Sequence, residues 1–474
     1  MTTLEPTSPR EAQEAVLSTL NKDGSRRWMR PKPSEGTYWR RRRVVAYGLM
    51  ALFFALPTLR LNGKPLVFLD VMRREFTFLG TTFYSTDTLL LMLLMLSIFI
   101  TVFFFTAVLG RVWCGYACPQ TVYMEFLYRP IERLFEGNRA EQRRLDHQRV
   151  SLRRLGKYAT YLVVSIFIAH LFLAYFVGWE RLLMWVQLSP ATHPAPFAVM
   201  AATTGLMMVD FTYFREQLCV VACPYARLQS VLLDERSLIV AYDARRGEPR
   251  GKLRMVREPA PAGVAAKGDC IDCKACVQTC PTGIDIRGGL QLECIACAQC
   301  VDACDAIMDR VGKPRGLVGY RTQEQLETGR ARRLRPRIVI YPLLLAIVGG
   351  LLVTLLANRA PAQVTLLRNV GAPFVELPNG DISNQLRVRL RNRSEEPRLF
   401  RIELVDGRGL ELVAPENPVR VAGGALVTTG IFVNAPRRHF ESGEHPIKVR
   451  VTDIDHPDVE PTETAPYRLL GPTH

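Results

Sequence analysis

The sequence predicts a polytopic α-helical membrane protein of about five spans, with a cysteine-rich cytoplasmic insert and a C-terminal all-β, immunoglobulin-like sandwich. Three observations predict it. Apolar residues, 48% of the 474, gather in blocks; eight of the twelve cysteines stand in two adjacent runs; and the last hundred or so residues alternate apolar with polar.

Five apolar blocks approach the roughly 20 residues needed to cross a bilayer core. They are Val44–Leu61, Leu89–Gly110, Tyr158–Val177, Phe197–Phe214 and Ile338–Ala357. The run from Leu89 to Gly110 carries no charge, which argues against a buried helix of a soluble protein. Pro57 interrupts the first block, and Asp210 lies near one end of the fourth, where a charge costs less than at mid-span.

Orientation follows from basic residues. Arg40, Arg41, Arg42 and Arg43 precede the first block. Arg143, Arg144, Arg149, Arg153, Arg154 and Lys157 precede the third, and Arg330, Arg332, Arg333, Arg335 and Arg337 the fifth. These segments are expected in the cytoplasm, with the C-terminus outside. The formal charge of +16 is explained by this topology, so no nucleic-acid partner is expected. The expected organisation is a polar cytoplasmic leader (1–37), four spans (38–233), a cytoplasmic insert (234–337), a fifth span (338–357) and an external domain (362–474).

Within the insert, Cys270, Cys273, Cys276, Cys280 and then Cys294, Cys297, Cys300, Cys304 each read C-x2-C-x2-C-x3-C. This is the bacterial-ferredoxin spacing for two 4Fe-4S clusters, in which three close thiolates hold one cube and the fourth reaches the other. One cluster takes Cys270, Cys273, Cys276 and Cys304; the second takes Cys294, Cys297, Cys300 and Cys280. Pro281 supports the break after Cys280. The second run ends Cys304-Asp305, without a proline. Zinc or disulfides are the structural alternatives, but zinc sites usually pair C-x2-C units across longer loops. All twelve cysteines fall on the side where thiols stay reduced.

The other four cysteines form an internal repeat: Cys114-Gly-Tyr-Ala-Cys118-Pro119 after the second span and Cys219-Val-Val-Ala-Cys223-Pro224 after the fourth. A four-residue step brings two thiols to one helix face, although each proline disfavours helix at the cysteine before it. Four soft thiolates at one membrane level suit copper(I), zinc or an iron-sulfur cluster; small packing cysteines and a redox disulfide are the alternatives. His170 is an intramembrane ionisable residue without an evident partner, and a packed neutral imidazole is the simpler reading. Asp210 is a candidate to orient Arg215, and Met124, Met207 and Met208 lie near the cysteine pairs.

In the tail, Gln385 to Leu390 and Ile447 to Val451 alternate as half-buried strands do. About 110 residues with seven or so strands suit the sandwich. His439, His445, His456 and His474 match no ligand spacing there.

The span order, both C-x3-C-P segments, the insert beginning Cys270-Ile-Asp-Cys273 and the Cys304-Asp305 ending together resemble the FixG/CcoG/RdxA family, from about Tyr38 to the C-terminus. The resemblance implies an inner-membrane accessory factor for cbb3-type cytochrome oxidase assembly. It implies a cupric reductase that supplies copper(I), with two 4Fe-4S clusters as cofactors and copper as substrate or bound ion. Copper at Cys114, Cys118, Cys219 and Cys223, a cytoplasmic electron donor, and a copper transporter or chaperone as partner belong to the same expectation. A quinol-oxidising subunit resembling the NapH type and a non-enzymatic assembly scaffold are the alternatives.

Overall fold

The computed structural model describes residues 18–19, 23, 25–61, 63–146, 148, 151–252, 268–330, 336–394, 396–405, 407–440, 442–455 and 463–472. Most of the expected leader, together with Arg149, Arg332, Arg333, Arg335, His456 and His474, lies outside them. The chain divides into two units, Met1–Leu352 and Val353–His474.

Among the described residues, four helices are long and apolar enough to cross a membrane: Thr88–Leu109, Leu152–Val177, Pro194–Phe214 and Pro336–Ala357. The first expected block forms the helix Thr37–Thr58, with Pro57 in its last turn. It begins seven residues before Val44, so Arg40 to Arg43 are helical and not a flanking loop. The reason is a distant cap. The Asp302 carboxylate accepts the backbone N–H groups of Tyr38 at 3.1 Å and Trp39 at 2.7 Å, which are unpaired donors of the first turn. The third block starts early as well, at Leu152, because Lys157 is buried on its own helix against Glu136, with Nζ to Oε1 at 2.6 Å.

Each C-x3-C-P segment turns the chain in the same way. Cys118 and Cys223 are extended, and Pro119 and Pro224 open the helices Pro119–Tyr123 and Pro224–Leu232. Proline is favoured there because its missing N–H has no helical partner to lose. The short helix Val112–Tyr116 ends before Cys118, so Cys114 and Cys118 do not share a helix face. Between Thr37–Thr58 and Thr88–Leu109, the strands Val67–Asp70, Glu75–Phe78 and Thr81–Tyr84 pair as a small antiparallel sheet.

Of the two cysteine runs, Cys276 lies in the helix Ala275–Gln278 and Cys300 and Cys304 in Gln299–Val311, and Ile239–Tyr242 and Val318–Arg321 form an antiparallel pair in the same region.

The second unit is a two-sheet sandwich. One sheet orders Glu411–Val413, Leu426–Pro436, Asp381–Asn392 and Ala362–Arg368, with Val375–Glu376 also on Asp381–Asn392. The other orders Val419–Val421, Arg398–Val405, Glu444–Asp453 and Glu463–Leu470. Alternation places Leu386, Val388 and Leu390 inward, against Phe400, Ile402, Val449 and Val451 of the other sheet.

Candidate iron-sulfur and thiol centre

The two cysteine runs share one backbone device. Asp272 and Lys274, at φ 52° and 55°, flank Cys273, while Ala296 and Ala298, at φ 52° and 57°, flank Cys297. Left-handed conformations cost a non-glycine residue roughly 1–2 kcal/mol each. Their recurrence at matching positions means the surroundings impose them. Alternating hand turns successive N–H groups inward, making a concavity suited to an anion.

Cys270, Cys273, Cys276 and Cys304 line one void. Cys280, Cys294, Cys297 and Cys300 line a second, and Cys276 belongs to both walls. The remaining lining is mostly apolar and includes no carboxylate; Lys274 and Arg287 face the first void. Among the described residues no three His, Cys, Asp or Glu side chains close on a single ion. Thiols set around a void, with inward N–H groups and no competing acid, are a donor set for a polynuclear anionic group. The residues therefore fit a 4Fe-4S group in each void.

The two voids differ in exposure. Cys273 is exposed, whereas the four thiols of the second are buried or half-buried. Burial pushes Cys294 up to about 12 and Cys297 to about 11, so these thiols keep their protons at neutral pH until a metal displaces them.

The four other thiols, Cys114, Cys118, Cys219 and Cys223, are half-buried and lie within one another's electrostatic field, without closing on a single ion. Burial pushes Cys114 up to about 12, and the neighbouring Cys118 adds to the shift. Cys118 and Cys219 are raised too, again mainly by burial. Cys114 donates to Gln229 Oε1 at 3.2 Å, and the fully buried Gln229 donates in turn to the Gly110 carbonyl at 2.8 Å. Gln120 joins the two repeats: its amide donates to Asp210 Oδ1 and to the Arg215 carbonyl, both at 3.0 Å.

Asp210 therefore orients Gln120 and not the Arg215 guanidinium. That group makes two bonds to Glu132, at 3.1 and 2.8 Å, within a buried ion network that also holds Arg129, Glu125 and Glu216. Met124 packs in an aromatic cluster of Tyr128, Tyr161 and Phe211, with Met207 and Met208 against it. His170 has its Nδ1 2.8 Å from the Ile166 carbonyl and lines a cavity with His193, Trp185 and Met200.

Gly115 joins the two groups of cysteines. A β-carbon there would stand 2.8 Å from the Cys297 Cα and the Ile295 carbonyl oxygen. Glycine is required by this approach, because any side chain would push the Cys114–Cys118 turn off the second void. Arg42 donates from Nε to the Gly115 carbonyl at 2.8 Å, and Arg111 donates to the Cys294 carbonyl at 3.2 Å. Tyr320 bonds the Ala296 carbonyl at 2.5 Å. The sequence marked Arg42 only as one of the basic residues before the first block, and Arg111 and Tyr320 not at all.

Three family models match the chain: a 4Fe-4S dicluster domain over residues 214–323, a 4Fe-4S binding domain over 91–138, and the IG-like fold at the C-terminus of FixG over 352–472. Protein RdxB of Cereibacter sphaeroides is 37% identical across 81% of this chain and 84% of its own length. Protein RdxA of the same organism is 34% identical across 85% and 87%. The nitrogen fixation protein FixG of Rhizobium meliloti is 32% identical across 88% of each. The chain belongs to the FixG/RdxA family. As a member of that family it is an iron-sulfur redox protein with membrane-compatible helices. The dicluster match contains both ferredoxin runs together with Cys219 and Cys223, and the shorter 4Fe-4S binding domain match at 91–138 contains Cys114 and Cys118.

Proposed function

We propose that this protein is an inner-membrane iron-sulfur cupric reductase that supplies copper(I) for cbb3-type oxidase assembly. The observation that carries the reading is the contact of Gly115 with Cys297, which seats the C-x3-C-P turn directly on the second ferredoxin run. Cys270, Cys273, Cys276 and Cys304 hold one 4Fe-4S group; Cys294, Cys297, Cys300 and Cys280 hold the other. Such groups, when bound, take up and release one electron at a time.

Copper(II) is the substrate. It accepts one electron and leaves as copper(I), and oxidation of a cytoplasmic reductant balances the reaction. Cys114, Cys118, Cys219 and Cys223 receive the ion; soft thiolates favour the copper(I) state. The exposed Cys273 edge faces the donor, and the buried second run faces the thiols. In this reading Thr37–Thr58 is a fifth span. The ferredoxin insert (234–337) is cytoplasmic, and the sandwich (362–474) is periplasmic and immunoglobulin-like, where it meets assembly partners.

The deciding experiment compares copper(II) reduction by anaerobically reduced protein with that of the Cys114/Cys118/Cys219/Cys223 quadruple alanine variant. Two clusters require about eight iron and eight sulfide per chain. Full activity in the quadruple variant rejects the copper site. One observation favours a second reading, quinol oxidation: a largely apolar cavity formed by Arg111, Leu233, Leu290 and Leu292 has Cys294 in its wall. Electron uptake that depends on added quinol and survives the quadruple substitution would establish that reading instead.

A further inference from the structure

The first helix delivers one charged side chain into the junction between the ferredoxin runs and the membrane-edge thiols. Arg42 is fully buried. Its Nε donates to the Gly115 carbonyl at 2.8 Å. One terminal nitrogen donates to the Gln299 side-chain oxygen at 2.9 Å when that amide is oriented to satisfy both of its neighbours. The other terminal nitrogen meets no protein acceptor. No carboxylate pairs with Arg42 among the described residues; its guanidinium lies 5.4 Å from the Phe126 ring and within the field of Cys297.

A buried cation without a counter-ion is expensive, and a buried donor without an acceptor adds to the cost. Both costs are offset if an anion is held at Cys297, which lines the second void and lies within the field of Arg42. The lining thiols, once metal-bound, supply that negative charge. A positive charge and N–H donors beside an iron-sulfur group favour its reduced form, which carries the additional negative charge.

The first void has no equivalent. Its Arg287 is already bonded by Asp285 and Asp272, at 2.7 and 2.5 Å, and Lys274 is solvent-exposed, where its charge is screened. The position of Arg42 is fixed besides. Asp302, which caps the start of its helix, stands between Cys300 and Cys304.

We propose that Arg42 holds the group bound by Cys280, Cys294, Cys297 and Cys300 at a higher reduction potential than the group bound by Cys270, Cys273, Cys276 and Cys304. Electrons then collect beside the Cys114–Cys118 turn and not at the exposed edge. Arg42 is a positioning residue in this scheme, and the inference rests on the two-cluster reading above.

The test is an anaerobic, EPR-monitored redox titration of the full-length protein, with Cys297→Ser used to assign the second group's wave. Wild type should show two one-electron waves, the upper one belonging to Cys297. In Arg42→Gln the upper wave should fall by at least a tenfold change in equilibrium constant, about 59 mV for one electron, while the lower wave moves less. Arg42→Lys keeps the charge and loses the forked donor, so its fall should be smaller. An unchanged upper wave with iron retained overturns the inference, as does an equal shift of both waves. So does an upper wave that belongs to the other group. If both Arg42 variants lose iron, the residue is merely structural and the inference fails. Wild type without two 4Fe-4S signals overturns the cluster reading itself, whatever the variants do.

Discussion

Gly115 and Cys297 touch backbone to backbone: a β-carbon on Gly115 would sit 2.8 Å from the Cys297 Cα. Two segments 182 positions apart in the chain are thereby held in one turn-on-turn contact.

Gly115→Ala should separate them. Overpacking of this kind costs roughly 1–3 kcal/mol. The expected outcome is a loss of copper(II) reduction with the signal of the Cys270 group preserved, read by parallel assay and EPR. Unaltered turnover would mean that the contact is incidental.

The Arg215–Glu132 pair is bidentate and buried. Glu132→Ala leaves a buried cation without its partner and should cost about 3–5 kcal/mol. The double variant Glu132→Leu with Arg215→Met should recover much of that loss. Thermal melts in detergent check both, and a double variant no better than the single would contradict the account.

Copper binding should tighten with pH. Burial raises Cys114 to about 12 and lifts Cys118 and Cys219 as well, so each thiol must lose a proton on metal binding. Competition titrations should show apparent affinity rising about tenfold per pH unit for each ligating thiol. The same shift bears on the metal-free protein. The native state prefers the protonated thiol, so the contribution of Cys114 to stability is present below the ordinary value of 9.0 and is lost as pH rises toward about 12.

Exposure of Cys273 predicts unequal lability. Under limited air or a chelator, the Cys270/Cys273/Cys276/Cys304 group should be lost first, leaving about half the iron. Mass spectrometry after thiol alkylation should then find Cys273 labelled before Cys297. The reverse order would contradict the reading of the two voids.

In the sandwich, Leu386 is fully buried between the sheets, so Leu386→Ala should cost about 2–5 kcal/mol. The iron content of the first unit should not change. Iron analysis beside a calorimetric melt reads both effects.

The features legible in the sequence are those that repeat locally. Cysteine spacing marks the ligand runs, and charge-free stretches mark the long helices. Strict alternation from Gln385 to Leu390 marks a strand whose inward leucines are indeed buried. The features that were not legible depend on distant partners. Thr37 begins a helix because Asp302 caps it, and no neighbouring residue announces that start. Lys157 looks like a loop cation by composition yet is buried on Glu136. Asp272, Lys274, Ala296 and Ala298 adopt left-handed backbone without being glycine or asparagine, so only the fold reveals them. Gly115 and Arg42 gain their meaning from the Cys297 loop alone.

The Asp302 cap has a consequence for biogenesis. The amides of Tyr38 and Trp39 leave the ribosome long before the carboxylate that satisfies them, 264 and 263 residues later. The final seat of the first helix is therefore set only after the ferredoxin insert has folded. Asp302 lies between Cys300 and Cys304, so if those thiols take up iron as the insert folds, loading iron and anchoring the helix are coupled. A chain starved of iron should then expose its amino-terminal helix, and faster proteolysis of that helix in iron-depleted cells would show it.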